Sequence, residues 1–596
     1  MSFSNIHKFH IPVMGLAFTI DSPIKVARFG ISSVMSIIED KLVETMRRHY
    51  YKEFGEPYQM ITSKEKDFRA KRITDYLNLV NRIVKKQVAD MQKGDFIPES
   101  DTTKYFELLP DDSKLKALYQ KMLQTSDKRE KESLEVFLKQ QIIAGNIDVN
   151  IMTKLDKPAA DQEIANNSDA LSALRGYALS GLRNSSIVLS AGLNPNLFNY
   201  IAQFKCFKPD ALGHIEKKII LKVSDYRSAL IQGKFLAKKG IWVSEYRIES
   251  GLNCGGHAFA TSGNLMGPIL EEFKTKRTEL ALNIFEVYKN AILLENQTAE
   301  KPLPIKITVQ GGIGTFDEDT LLREYFGADA TGWGSPFLMV PEATTVDTDT
   351  LDKLGNAIEQ EVVLSKNSPL GVRFNYLKGT TSDLEKQERI AKGSPGSPCT
   401  EKHLVMNTEF TEQPICTASK KYQKLKLEQL AESDLSEKVY EKAKQDVLDV
   451  ECLCVGLSNP VVKTYAASFV KGLTSVTVCP GPNIAYFSRK VSLKEMVDHI
   501  YGRGNVIDHS RRPHMFIKEL TLYVDYFQEQ IEDIMLSLDP KQNRKNQKFH
   551  KEIKAGVDFY RNKADEFFND AEKLKVFLAD LKLLEARLDE LNPVLA

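Results

Sequence analysis

Short apolar segments recurring between helical stretches constrain this chain more than any other feature. "SSIVLSAG" (185–192), "KKIILKVSD" (217–225), "GIWVSEYRIESG" (240–251), "PIKITVQGG" (304–312) and "GADATGWGS" (327–335) have strand length, and helical stretches such as "YRSALIQGKFLAKK" and "RTELALNIFEVYKNAILLE" separate them. Residues 10–40 open the pattern with a short apolar strand, a polar turn at Asp21, Ser22 and Pro23, a short helix and the strand "FGISSVMSI". Alternation of this kind builds a parallel sheet, because parallel neighbours need a crossover and a helix supplies it. Seven or eight such strands predict an α/β fold, a closed (β/α)8 TIM barrel. An open doubly wound sheet is the alternative, but "PVMGLAF" lacks the glycine pattern that such a sheet carries at its first turn.

Changes of texture divide the chain. Residues 1–45 read as the barrel start, 46–182 as a large helical insertion, and 183–345 as the barrel remainder. A mixed, cysteine-bearing extension follows over 346–490, and 491–596 is a helical C-terminal region. In that last region Ile553, Val557, Tyr560, Ala564, Phe567, Leu574, Leu578, Leu581, Leu584 and Leu588 fall mostly at three- and four-residue spacing, an apolar stripe suited to covering the barrel or to forming a homo-oligomer. The length suggests two to four domains.

Charge narrows the partners. Lysine plus arginine number 81 against 80 acidic residues, so nothing in the global balance calls for nucleic acid, and a small-molecule or acyl substrate is the better expectation. The N-terminus has no signal-peptide pattern and no window of about 18 apolar residues occurs, which points to a cytoplasmic protein without a membrane span.

Two places carry chemistry. In "VQGGIGTFDEDTLLREYFGADATGWGSPFLM" (309–339) the glycines gather in two turns, Gly311, Gly312 and Gly314 before Thr315, and Gly332 and Gly334 before Ser335. Bare amides after late barrel strands make a phosphate cradle; the alternative is a pair of ordinary tight turns. In "ESGLNCGGHAF" (249–259) a strand ends in Gly255, Gly256 and His257, placing an imidazole at the catalytic face with glycines that let a ligand approach.

"PVMG", "KVSDYRSALIQGKFLAKKGIWVSEYRIESGLNCGGH" and "ITVQGGIGT…FGADATGWGSPFL" resemble, in order, the landmarks of the nitronate monooxygenase (2-nitropropane dioxygenase) family of FMN-dependent barrels, over residues 8–40 and 185–345. The resemblance implies FMN, with its phosphate at Gly311, Gly312, Gly334 and Ser335, its ring near Met14 and Gly15, and a polar contact from Lys222. It places His257 at the catalytic histidine position and so implies a flavin-dependent oxidoreductase with an acid/base histidine. The superfamily also holds flavin-dependent enoyl-thioester reductases of lipid synthesis, which take electrons from NAD(P)H. This chain has Asn253-Cys254 where the family usually has Glu-Ala, and its insertion and C-terminal half have no counterpart in the simple monooxygenases. A barrel that keeps its flavin as the scaffold of an assembly subunit is a third reading.

Cysteines cluster late. Only Cys206 and Cys254 precede residue 399, whereas Cys399, Cys416, Cys452, Cys454 and Cys479 follow within 81 residues, several beside turn formers. Such turns can converge thiolates on an iron–sulfur cluster or zinc, or the thiols can simply be buried.

Overall fold

The computed structural model describes residues 6–591 apart from 152–155, 157, 159–166, 191, 193, 211, 257–262, 296, 468–471, 508–511 and 538–539, and gives the backbone alone for 534–537 and 540–543. Eight parallel strands close in chain order: β1 (Phe9–Ile11), β2 (Ser32–Ser36), β3 (Ile147–Asn150), β4 (Ser185–Leu189), β5 (Lys217–Val223), β6 (Glu245–Glu249), β7 (Lys306–Gln310) and β8 (Ala330–Gly332). β1 pairs with β2 and also with β8, through Phe9 with Thr331 and His10 with Gly332, so the sheet has no edge. The fold is the expected (β/α)8 barrel with a large helical C-terminal part.

One boundary differs from the sequence reading. β3 lies inside the segment 46–182 that reads as helical, and it pairs with β2 and β4. The helices Asp40–Glu53, Phe68–Lys93, Asp101–Leu108, Lys114–Gln124 and Lys128–Gln140 are the inserted part, between β2 and β3.

Side-chain alternation sorts each strand between two environments. In β5, Ile219, Leu221 and Val223 join the main core under the helices, whereas Ile220 meets Val34 of β2 and Val188 of β4 in a separate cluster within the barrel, with Val13 packed on it. In β6, Tyr246 and Ile248 belong to the main core and the charged residues alternate with them. Glu245 accepts hydrogen bonds from Arg247 Nη2 at 2.6 Å and from Thr308 Oγ1 of β7 at 2.6 Å, which is what allows these charges to be buried.

The tail helices Met515–Ser537 and Pro540–Phe567 pack along the barrel helix Met266–Leu293, and Ala571–Leu591 packs on those two. Glu519 Oε2 accepts the Met266 N–H at 2.8 Å and the Tyr560 hydroxyl accepts the Gly267 N–H at 3.1 Å. Ile553, Val557, Tyr560, Ala564, Leu581, Leu584 and Leu588 are buried there, so the apolar stripe of the tail is used within the chain. Among the described residues no helix is long and apolar enough to cross a membrane.

Candidate functional site

The C-terminal ends of the strands bring a polar set to the barrel mouth: Ser36 from β2, Asn150 from β3, Lys222 from β5, Glu249 from β6 and Gln310 from β7. Glu249 Oε1 accepts from Gln310 Nε2 at 2.6 Å and from Lys222 Nζ at 3.2 Å, which fixes both donors. Ser36 Oγ, Asn150 Oδ1 and Gln310 Oε1 are buried with no hydrogen-bond partner among the described residues. Each such orphan costs about 1–3 kcal/mol, and three around one opening form an unfilled set of contacts. His10 of β1 is buried beside Gln310, both against Gly332; burial foremost, then the charge of Arg247, pushes its imidazole down to about 3, so it is neutral.

Beside Gln310 opens a cleft lined by Pro12, Leu252, Gln310, Gly312, Gly334 and Ser335 among others. Gly311 and Gly312 carry φ of 105° and 83°, which favour glycine, and a Cβ on Gly312 would lie 2.5 Å from Leu252 Cδ1. Neither amide donates to another described residue. The neighbouring groups of the glycine turns are engaged differently. The Gly314 N–H donates to Glu318 Oε2 at 2.9 Å, and Ser335 Oγ accepts the Gly481 N–H at 2.8 Å. Gly334 packs on Cys254, where a Cβ would stand 2.9 Å from the cysteine Cβ, and burial pushes the Cys254 thiol up to about 11.

Arg512 anchors this turn from the C-terminal half. Its Nη1 binds Glu318 Oε1, its Nη2 the Gly312 carbonyl and its Nε the Asn483 Oδ1, each at 2.7 Å. Glu318 is pushed up by burial, but the Arg512 charge and hydrogen bond, with the Gly314 N–H, hold it below the ordinary carboxylate range.

The loops after β1 and β6 meet across the mouth. Gly255, at φ 71°, lies so close to the Met14–Gly15 backbone that a Cβ would stand 2.5 Å from the Gly15 nitrogen, and its own N–H donates to the Cys479 carbonyl at 2.8 Å. Among the described residues nothing lies within 4 Å of a would-be Cβ on Gly256. His257 follows in the sequence but lies outside the described residues.

All seven cysteines are thiols. The bridge of Ser397 with Ser419 carries the segments of Cys399 and Cys416 beside each other, and Cys452 and Cys454 lie at the start of the helix Leu453–Gly456. Cys479 stands apart from these four; its thiol is pushed up by burial, then by Glu451 and Cys254. Nearby, Glu39, just after β2, accepts a hydrogen bond from the His403 ring, and with Glu401 these residues place three potential ligand atoms within 4.8 Å of one another. Burial pushes Glu39 up, and the His403 hydrogen bond and charge with the Lys41 N–H more than offset it.

The sequence reading missed Asn150, Glu249, Gln310, Asn483 and Arg512. For the first three a signal existed, a polar residue at or beside the end of an otherwise apolar strand; for Arg512 and Asn483 none did, because their partners lie 170 to 200 residues away.

No family model matches the chain, and no curated protein matches it. Among solved structures it is similar to the enoyl reductase domain of MlnA from the macrolactin biosynthesis cluster of Bacillus amyloliquefaciens, at 16% identity over 68% of this chain and 88% of that one, with a TM-score of 0.33. It is also similar to an IMP dehydrogenase/GMP reductase-like protein from Corynebacterium glutamicum, at 13% identity over 56% of this chain and 65% of that one, with a TM-score of 0.22. The fold assignment rests on the strand pairing of the chain itself.

Proposed function

We propose that the chain is an FMN-dependent oxidoreductase with its active site at the C-terminal mouth of the barrel. The carrying observation is that Gln310, whose Oε1 has no partner among the described residues, and the uncommitted amides of Gly311 and Gly312 line one cleft at the barrel mouth. Bare amides suit a phosphate, and polar side chains suit the edge of a heterocycle. The residues therefore fit the group. Gly311, Gly312 and Gly334 would hold the phosphate end, and Lys222, Gln310 and Asn150, with the Met14–Gly15 and Gly255–Gly256 backbones, the ring end. The Gly314 amide and the Ser335 hydroxyl already have protein partners and so shape the loop.

Bound there, the flavin supplies the electron chemistry. The chain supplies the rest. Glu249 holds Lys222 and Gln310 in place, and the C-terminal segment through Cys479 and Gly481 walls the mouth against water. His257, which follows Gly256 in the sequence, is proposed to take or give the proton at the substrate. A substrate anion oxidised with oxygen is the first reading; NAD(P)H-dependent reduction of an enoyl thioester is the second, and a scaffold with an inert flavin the third.

The test is an anaerobic absorption spectrum of purified protein before and after addition of FMN. Flavin bands at about one FMN per chain are the expected result; a colourless protein that takes up no FMN refutes the proposal. Nitronate-dependent oxygen consumption or flavin bleaching by NAD(P)H then selects the reaction, and neither response leaves the scaffold.

A further inference from the structure

One group of side chains outside the proposed flavin site converges as metal ligands do. Glu39 lies on the C-terminal side of β2, at the head of the helix Asp40–Glu53, where its Oε1 accepts the Lys41 N–H at 3.1 Å. Glu401 and His403 come from the extension, in the stretch between the helices Thr381–Ala391 and Lys420–Ala431, which holds neither helix nor strand. The His403 ring meets Glu39 through Nε2, and one oxygen of each carboxylate with one ring nitrogen all lie within 4.8 Å of one another. Among the described residues no other His, Cys, Asp or Glu side chains gather in this way, and no cysteine belongs to the group.

The burial of the two carboxylates sets what they need. The Glu39 and Glu401 side chains are 2% and 5% exposed, yet the cation on Glu401, Lys41, is 56% exposed. Burying a carboxylate costs several kcal/mol, and a mostly exposed lysine returns about 0–1 kcal/mol. Two carboxylates within reach of each other also repel. Of the neighbouring cations, Arg72 binds Asp40 and Arg69 gives its Nη2 to the Ile38 carbonyl at 2.7 Å; neither pairs with Glu39 or Glu401.

We propose that Glu39, Glu401 and His403 bind one divalent transition-metal ion, which clips the 392–419 stretch to the barrel rim after β2. A doubly charged ion neutralises both carboxylates at once. The imidazole sets the class, because two oxygens and one nitrogen suit zinc, iron(II) or manganese, whereas calcium and magnesium take oxygen ligands. Bonds of about 2.0–2.2 Å put two ligand atoms of one ion no more than about 4.4 Å apart. A spread within 4.8 Å therefore closes with small side-chain movements. Three protein ligands leave the remaining positions to water. Binding displaces the Lys41 ammonium, whose exposed side chain turns to solvent, and takes the lone pair of His403 Nε2, so the proton in its hydrogen bond with Glu39 is released. A stretch of this length without secondary structure of its own is uncommon inside a packed chain, and the ion gives it an anchor on the barrel.

The test is cobalt(II), a coloured probe, titrated into full-length protein stripped of metal with a chelator and followed by visible absorption and thermal unfolding. Expected are about one cobalt per chain with ligand-field bands, no thiolate-to-cobalt charge-transfer band in the near ultraviolet, and a raised unfolding midpoint. Glu401→Gln and His403→Ala should each weaken binding by more than the about tenfold that loss of a mere supporting partner costs. Lys41→Met, which removes the competing cation, should bind at least as tightly as the parent. Absence of saturable binding overturns the proposal, and so does a thiolate band. Binding that both ligand variants leave unchanged marks an adventitious ion only and overturns it too. Should the variants fail to fold, the stoichiometry and band pattern of the wild type decide the matter. Cobalt is counted with or without flavin, so this outcome and that of the proposed function are independent.

Discussion

Removing the Arg512 side chain probes whether the C-terminal half holds the glycine turn. Arg512 and Glu318 are 7% and 1% exposed at their side chains and meet at 2.7 Å, so the pair is buried. Glu318 has two further backbone donors, Gly314 N–H at 2.9 Å and Met515 N–H at 2.7 Å, and Arg512 also binds Gly312 and Asn483. Arg512→Met leaves a buried carboxylate with backbone donors alone. Breaking one side of such a pair costs about 3–5 kcal/mol, whereas replacing both charges costs far less. The assay is a double-mutant cycle in urea of Arg512→Met, Glu318→Gln and the double variant, read on the transition that reports the barrel. Arg512→Met should cost about 3–5 kcal/mol, and the double variant should be less destabilised than the sum of the singles by about 0.5–3 kcal/mol. Flavin retention should fall in parallel as the Gly311–Gly314 turn loses its anchor. A single variant within about 1 kcal/mol of the parent, the value of a surface pair, or a strictly additive cycle, would refute the reasoning.

Two further outcomes are expected. Gly312→Ala forces a left-handed φ of 83° on a residue with a side chain and drives its Cβ to 2.5 Å from Leu252 Cδ1, so about 1–2 kcal/mol of strain adds to about 1–3 of overpacking; FMN binding by fluorescence titration should drop at least tenfold with helix content intact, and unchanged affinity would remove this turn from the site. Burial foremost holds His7 near 4 and His10 near 3 in the folded chain, against an ordinary 6.5. Both are depressed, so the stability they carry is present above pH 6.5 and lost as pH falls, by roughly 3 kcal/mol for each group over the fall from 6.5 to 4. Urea midpoints that stay flat between pH 7 and 4.5 would contradict this.

The barrel was legible where strands carry a continuous apolar run, as in "KKIILKV", because a parallel strand buried on both faces reads that way. It was not legible at "IDVN", four residues in which Asp148 and Asn150 alternate with apolar neighbours inside a charged, helix-rich stretch. Asp148 is tolerated because its Oδ1 accepts the Ser186 N–H at 2.8 Å, a contact that no local pattern announces. The glycine turns could be read because left-handed backbone demands glycine at Gly311 and Gly312. The density of late cysteines could also be read, but not their sorting. Cys399 meets Cys416 through a parallel bridge of Ser397 with Ser419, while Cys479 is carried away by the path of its segment.

The extension after residue 345 belongs to the barrel mouth in a physical sense. Asn375 Nδ2 donates to the Gly251 and Asn253 carbonyls at 3.0 Å, Cys479 accepts from Gly255, Asn483 Nδ2 donates to Ile313 at 2.8 Å, and Leu457 accepts from Ala17. Loops at a barrel mouth carry backbone groups that water satisfies when they are exposed and that cost about 1–3 kcal/mol each when buried unpaired. Here the loops after β1, β6 and β7 give those groups to one downstream segment instead. That arrangement narrows the opening, fixes the two glycine turns relative to Lys222 and Gln310, and sets the thiol pair of Cys452 and Cys454 on the loop of Gly15. The same contacts that close the mouth therefore tie the proposed flavin site to residues spread along the chain from Pro12 to Arg512.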